Sequence, residues 1–344
     1  MTPARFHAIT QAYPRLKLAV AGDFCLDRYL EIDPSLEEIS LETKLPVYNV
    51  RRVRSQAGGA GTILNNLAAL GVGELYPAGF CGRDGEGFEL REALGGLPGV
   101  RLDYFIETAG RRTFTYCKPL VVEPGRPPRE LNRLDSKNWS PTPAEVASQL
   151  GTAVMALAER MDGMALLSQV DVAETGVLSD PVLSALREAL RARPGRLVIA
   201  DSRRTLGGFP PVIFKMNAVE LTAMTGTPPG SSLADVGAAA VEVAQRNDRP
   251  VFVTLAERGL LGASPDGLTE HMPARPVRGP IDIVGAGDAV TANLLAGLAA
   301  GADLREALEL AGAAASVVIH QLGTTGTATV AQIRDLLFPA RGAI

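Results

Sequence analysis

Short, continuously apolar runs alternate along this chain with stretches whose apolar residues recur at helical spacing. The runs "LKLAVAGD" (16–23), "MALLSQV" (164–170), "RLVIADS" (196–202) and "PVFVTLAERG" (250–259) read as strands buried on both faces. The stretches "TILNNLAALG" (62–71) and "PVLSALREALRA" (181–192) read as amphipathic helices. Strand followed by helix, several times over, predicts an α/β sandwich with a mostly parallel sheet covered on both sides.

Two regions break that rhythm. In 30–56 and 101–134 the pattern shifts toward period two, as in "RRTFTYCKPLVV", which predicts antiparallel strands. Together they are expected to form a small sheet over the main domain, a lid able to close on a ligand and exclude water. The segment "EPGRPPREL" (123–131) is a Pro-rich turn between two of these strands. With no long linker and no internal repeat, the expectation is one domain, 1–344, with the lid inside it.

Composition narrows the partners. The 344 residues are 46% hydrophobic, enough for a full core, and 34 basic against 38 acidic residues leave a net charge of -4. No basic footprint points to nucleic acid or to an anionic membrane, so a small molecule is the default partner. Cys25, Cys81 and Cys117 are widely spaced without a CxxC pair, which fits reduced thiols in a cytoplasmic protein. No apolar run has the length of a signal peptide or a membrane span. His7, His271 and His320 form no zinc pattern, so any metal is expected to be a hard cation held by oxygens.

Candidate chemistry centres on "DIVGAGDAV" (282–290). Gly285, Ala286 and Gly287 bring the backbone to Asp288 just before an apolar run. Free amides and the dipole at a helix N-terminus suit a phosphoryl group, and glycine permits its close approach. Asp288 could accept a proton from an attacking hydroxyl, or it could simply cap the helix. A second glycine turn, "AGGAGTILNNLAALG" (57–71), and two aspartates after a core strand in "AGDFCLDRYL" (21–30) stand where α/β folds bind ligands.

These motifs, in this order, resemble the ribokinase-like or PfkB carbohydrate kinases over nearly the whole chain. "DIVGAGDAV" resembles the C-terminal signature of that family and "GGAGTILNNLAALG" its N-terminal one. "NAVEL" (217–221) is similar to its N-x-x-E motif, and "TLAERG" (254–259) to its nucleotide-binding T-x-G-x-x-G stretch. Within the family, "GDFCLDRYL", "ISLETKLPVYNV", "NRLDS" and "QLGTTG" resemble the kinase half of bifunctional ADP-heptose synthases, a heptose 7-phosphate kinase. The nucleotidyltransferase half of such a synthase is not expected here, as the chain ends soon after the kinase signature.

The resemblance implies a ribokinase-like three-layer sandwich with a small antiparallel β lid, and transfer of the γ-phosphate of Mg-ATP to a sugar or sugar-phosphate hydroxyl. It implies Asp288 as base, with Gly285, Ala286 and Gly287 as anion hole. Asp27, Gly58, Gly59, Thr62 and Gln169 fall on sugar-contacting positions. Arg203 stands near the transferred phosphate or is a solvated surface charge. Asn217 and Glu220 organise Mg²⁺ and phosphate through water, and Thr254, Glu257 and Gly259 fall on the nucleotide site. A K⁺ ion would touch Asp282, Val284, Val318, Gln321, Gly323 and Thr327. The alternating stretch "LETKLPVYNVRRV" is expected to pair lids in a homodimer.

Departures bear on the acceptor. Thr62 replaces an Asn that binds sugar hydroxyls, Gln169 replaces an Asp of the heptose kinases, and Leu255-Ala256 replaces Leu-Gly. Two lost polar contacts open the choice of sugar, since such a site discriminates through its polar groups. A nucleoside kinase on the same scaffold, or a sugar or nucleotide sensor without turnover, are the alternatives.

Overall fold

A computed structural model describes residues 1–228, 230–323 and 325–339. The chain opens with α1 (Pro3–Thr10), β1 (Lys17–Gly22), β2 (Phe24–Ile32), β3 (Glu38–Ile39), β4 (Pro46–Val47) and β5 (Val50–Gly59). Then come α2 (Ala60–Ala69), β6 (Glu74–Gly82), α3 (Gly85–Gly95), β7 (Phe105–Thr108), β8 (Thr115–Val121), β9 (Arg129–Glu130) and β10 (Leu134–Ser136). The middle holds α4 (Ala144–Arg160), β11 (Gly163–Ser168), α5 (Asp180–Ala192), β12 (Val198–Ser202), β13 (Ile213–Asn217), α6 (Ala218–Thr225) and α7 (Leu233–Asn247). The last part is β14 (Val251–Thr254), β15 (Leu260–Ala263), β16 (Thr269–Met272), α8 (Ala286–Ala299), α9 (Leu304–Val318) and α10 (Val330–Leu337).

Among the described residues the main sheet runs β16-β15-β14-β13-β12-β11-β1-β6-β7. It is parallel from β14 to β7, with an antiparallel edge at β15 and β16. Two apolar clusters face opposite sides of it. One packs α2, α8 and α9 against the sheet, and the other packs α4, α5 and α7. The result is three layers, as the strand-helix alternation requires. No helix of the described residues is long and apolar enough to cross a membrane.

The second sheet runs β10-β8-β2-β5, with β9 on β8. Its boundaries differ from the expected 30–56 and 101–134. β2 begins at Phe24, one residue after β1 ends, and β7 inside 101–134 pairs with β6 of the main sheet. The sheet is also mixed: β2 pairs antiparallel with β5 but parallel with β8. Parallel pairing follows because β2 and β8 are separated by α2, β6, α3 and β7, a long crossover rather than a hairpin.

Asp23 forms the corner between the sheets. Its carboxylate accepts from the amides of Gln169 and Val177, each at 2.7 Å, while its carbonyl accepts from Ala60 N at 3.0 Å. Burial pushes this carboxyl up, and those amide bonds pull against the rise. Asp23 thus ties β1, β2, α2 and the loop after β11 together. The C-terminal ends of β1, β11, β12, β13 and β14 all open onto this edge, where ligands bind in open α/β sheets.

Candidate active site

Gly285, at φ 83°, is the N-cap of α8, a left-handed turn that an L side chain resists. The first helical bond runs from Ala289 N to Gly285 O, so the amides of Gly287 and Asp288 precede it. The amide of Ala286 is turned back onto Ile283 O at 3.2 Å. Asp288 is the third residue of the helix. The cap position belongs to glycine, so the carboxylate is left to other work.

That carboxylate is half-buried, and burial lifts its pKa to about 7; Asp201 adds to the rise, while Lys215 and Arg203 oppose it. Lys215 on β13 and Asp201 on β12 are buried and joined at 2.7 Å. Burial works against the Lys215 ammonium, but the Asp201 charge outweighs it and holds the group above its ordinary value. A methyl built on Gly287 would lie 3.1 Å from Lys215 Nζ, so glycine is what lets the cation reach the helix start. Neither Asp201 nor Lys215 is marked by any of the sequence motifs.

Asn217 and Glu220 form the capping box of α6. Glu220 N donates to Asn217 Oδ1 at 2.9 Å, and Asn217 N donates to Glu220 Oε2 at 2.7 Å. Burial raises the Glu220 carboxyl, the bond from Asn217 N lowers it, and Asp201 raises it further. The pair therefore sits at the end of β13 beside the Lys215 cation.

On the other side, glycines make room for polar groups. A methyl on Gly58 would lie 2.4 Å from Asp27 Oδ2, and one on Gly59, at φ 61°, 3.2 Å from Gln169 Oε1. Asp27 is buried and bridged by Lys118 Nζ at 3.1 Å, a lysine on β8 that the sequence reading did not single out. Thr62, buried in the first turn of α2, packs its methyl toward Gly285, 3.6 Å from the space a Gly285 side chain would take. The structure thus brings Asp27, Gly58, Gly59 and Gln169 together beside Cys25, and sets Thr62 against the α8 turn.

A shallow recess continues outward from Gln169, lined among others by Tyr116, Lys137, Asn138 and Trp139. Lys137 pairs with Asp171 at 2.8 Å on its rim. Arg203 is exposed between this recess and the α8 turn. Its charge acts on Tyr116 and Asp171 on one side and on Glu220 and Asp288 on the other. Lys137, Asn138 and Trp139 were not anticipated; only the nearby "NRLDS" stretch hinted at this part of the chain.

Thr254 ends β14 opposite Asn217 on β13. The turn that follows carries Ala256 at φ 51° and Glu257, then Gly259 at φ 94°, where a methyl would lie 2.0 Å from Met272 O. Next to α8, Asp282 N donates to Ile319 O at 2.8 Å and Asp282 Oδ1 accepts from Val284 N at 3.0 Å. Gln321 N donates to Val318 O, and the Gln321 side chain clasps Thr327 through both its N–H and its carbonyl backbone groups, at 3.1 and 2.7 Å. Gly323, at φ 71°, lies inside that loop; Thr324 of the "QLGTTG" stretch lies outside the described residues. No cluster of three or more His, Cys, Asp or Glu residues occurs among the described residues.

This architecture is ribokinase-like. A ribokinase of Arabidopsis thaliana, solved with ribose and ATP, superposes with a TM-score of 0.67 at 20% identity, over 94% of this chain and 98% of that one. A putative phosphofructokinase of Staphylococcus aureus superposes with a TM-score of 0.71 at 17% identity, over 92% and 95%. Residues 210–330 match the pfkB family carbohydrate kinases. A relative from Azorhizobium caulinodans, named bifunctional protein HldE, is 35% identical over 96% of this chain; the chain spans 65% of that relative's length.

Proposed function

We propose that this chain is an ATP-dependent kinase moving the γ-phosphate of Mg-ATP to a hydroxyl of a sugar or sugar phosphate. The observation that carries the reading is Asp288, a carboxyl lifted to about 7 in the first turn of α8 beside two amides that precede the first helical bond. The acceptor oxygen attacks the γ-phosphorus, the bond to the β-γ bridging oxygen breaks, and ADP leaves with its electron pair. Asp288 takes the hydroxyl proton as the new bond forms. The turn Gly285-Ala286-Gly287 presents amides and the helix dipole to the charge that develops on the phosphoryl oxygens.

Asn217 and Glu220 offer hard oxygen donors at the end of β13, which fits a Mg²⁺ that keeps several of its waters. When bound, that ion neutralises phosphate charge. Thr254, Glu257 and Gly259 supply the nucleotide side. Asp282, Val284, Val318, Gln321, Gly323 and Thr327 include a carboxylate and a run of backbone carbonyls, donors that suit K⁺; turnover in potassium against choline salts tests this.

Asp27, Gly58, Gly59, Thr62 and Gln169 face the acceptor, with Arg203 toward the transferred group. Lys137 in the adjoining recess supports an acceptor that already carries a phosphate, a heptose 7-phosphate first among them. ADP release over a panel of heptose 7-phosphate, hexoses, hexose phosphates and nucleosides tests the class. Turnover of nucleosides alone would move the assignment to a nucleoside kinase. Nucleotide binding without turnover of any acceptor would leave a sensor.

The small sheet acts as a lid, and the separate β3-β4 hairpin between β2 and β5 supports a homodimer. Leu36, Ile39, Leu41, Leu45 and Tyr48 are all exposed there, Leu41 to 87%. A monomer by light scattering at working concentration would remove this part of the proposal. Three free, buried cysteines support a cytoplasmic place for the enzyme.

A further inference from the structure

Asp201 and Lys215 belong to none of the sequence motifs, yet they lie against the helix turn that carries the candidate base. The pair joins adjacent strands, with Lys215 Nζ 2.7 Å from Asp201 Oδ2. Two contacts fix it to α8. Lys215 Nζ lies 3.1 Å from where a Gly287 methyl would be, and Gly287 immediately precedes Asp288. Thr291, one turn on, has its hydroxyl 3.2 Å from Gly287 O and 3.4 Å from Asp201 Oδ2.

A buried ion pair is a poor means of stabilising a fold, because desolvating two charges offsets most of their attraction. This one sits where a third ionisable group must change its charge. The other groups facing Asp288 are Asp27 and Cys25 of β2 and Arg203 after β12, while Glu220 of α6 faces Lys215. Arg203 is open to solvent, which screens it, and Asp27 is already bridged by Lys118. Lys215 is the buried cation directed at the α8 turn.

We propose that Lys215, held in place by Asp201 and through it by Thr291, is a positioning residue that sets the charge state of Asp288. The two halves act in opposite senses: Asp201 disfavours the Asp288 carboxylate and Lys215 favours it. Burial makes the largest rise, and the opposition of the pair sets where the carboxyl comes to rest near neutrality, where a base is most useful. The inference rests on Asp288 being the proton acceptor, but its test requires no acceptor and no turnover.

The test is a titration of the ligand-free full chain labelled with ¹³C at aspartate carboxyls, the Asp288 signal being identified by its loss in Asp288→Asn. Asp201→Asn should lower the Asp288 midpoint by about one pH unit, and Lys215→Met should raise it by about as much or more. Lys215→Arg should restore a near wild-type midpoint. Lys215→Met strands a buried carboxylate, so the double variant Asp201→Asn/Lys215→Met, which keeps the shape without the charges, carries the test if the single does not fold. Its midpoint should lie above that of Asp201→Asn. Midpoints that coincide in wild type, Asp201→Asn and the double variant, or single variants that shift the same way, overturn the inference. A shifted midpoint in a protein that phosphorylates no acceptor upholds the inference and defeats only the proposed function.

Discussion

Gln56 on β5 donates a 2.6 Å hydrogen bond to the Thr325 hydroxyl, joining the small sheet to the loop that follows α9. On β5, Gln56 stands opposite Asp27 of β2. The loop it reaches also carries Gln321 and Thr327. One bond therefore links the acceptor side of the site to the side offered for K⁺. Replacing Thr325 with Val should cost about 1 kcal/mol of stability. It should raise the KM for the acceptor more than that for ATP and speed hydrogen exchange along β5. Unchanged exchange and kinetics would show that the two regions move independently.

Asp288→Asn should lower kcat by at least about 10²-fold while nucleotide binding persists by calorimetry. In the wild type, kcat/KM should fall tenfold per pH unit below about 7, where the carboxyl is protonated. A near wild-type kcat in the Asn variant would end the assignment.

The same carboxyl makes a prediction about stability. Its folded pKa is raised above that of the unfolded chain, so its protonated form favours the fold, and that contribution is lost as pH rises through about 7. Asp288→Asn should therefore gain on the wild type between about pH 4 and 7 and level off above, reaching on the order of 2 kcal/mol after allowing for its partial exposure. Thermal melts across that range measure it, and a constant difference would contradict it.

Ala256 holds φ 51° in the turn after β14, a left-handed backbone that suits glycine. The left-handed backbone costs an alanine about 1–2 kcal/mol, part of which glycine gives back in chain entropy. Ala256→Gly should raise the melting temperature by a few degrees, and a lower one would mean that the methyl makes a packing contact worth more than the strain.

Trp139 is the sole tryptophan of the chain and lines the recess beside Lys137. Acceptor binding should change its fluorescence without ATP. Lys137→Ala should raise the KM for a phosphorylated acceptor about tenfold, the weight of one charge-assisted hydrogen bond, and leave unphosphorylated sugars unaffected. Equal effects on both would place the acceptor phosphate elsewhere.

The main sheet was legible where its strands are almost continuously apolar, as in β1, β11, β12 and β14, and each α/β repeat announces the next. The small sheet was less so. Its first strand continues almost directly from β1, so hydrophobicity shows no break at Asp23, and β7 alternates like its neighbours while pairing with the main sheet. Glycine and asparagine motifs are local, and the structure explains two of them in local terms. Asn217 and Glu220 stand three apart because they cap α6, and Gly285 is glycine because the turn into α8 is left-handed. Lys118, Lys215 and Asp201 left no signal, since each is a single charge in a strand whose meaning comes from a neighbour 14 to 91 residues away. Lys137 and Trp139 face the site from an irregular segment, where no periodicity marks the inward side.

The corner at Asp23 has a mechanical consequence. The small sheet is not a flap on a flexible tether but the continuation of a core strand through one residue, and that residue is bolted to the backbone of Gln169 and Val177. Any swing of the sheet must load the peptide of Gln169, whose side chain faces Gly59 across the acceptor site. In the proposed kinase, grip on the sugar and bending of the cover are thus borne by the same few atoms. An acceptor that pulls on Gln169 acts on the bearing itself.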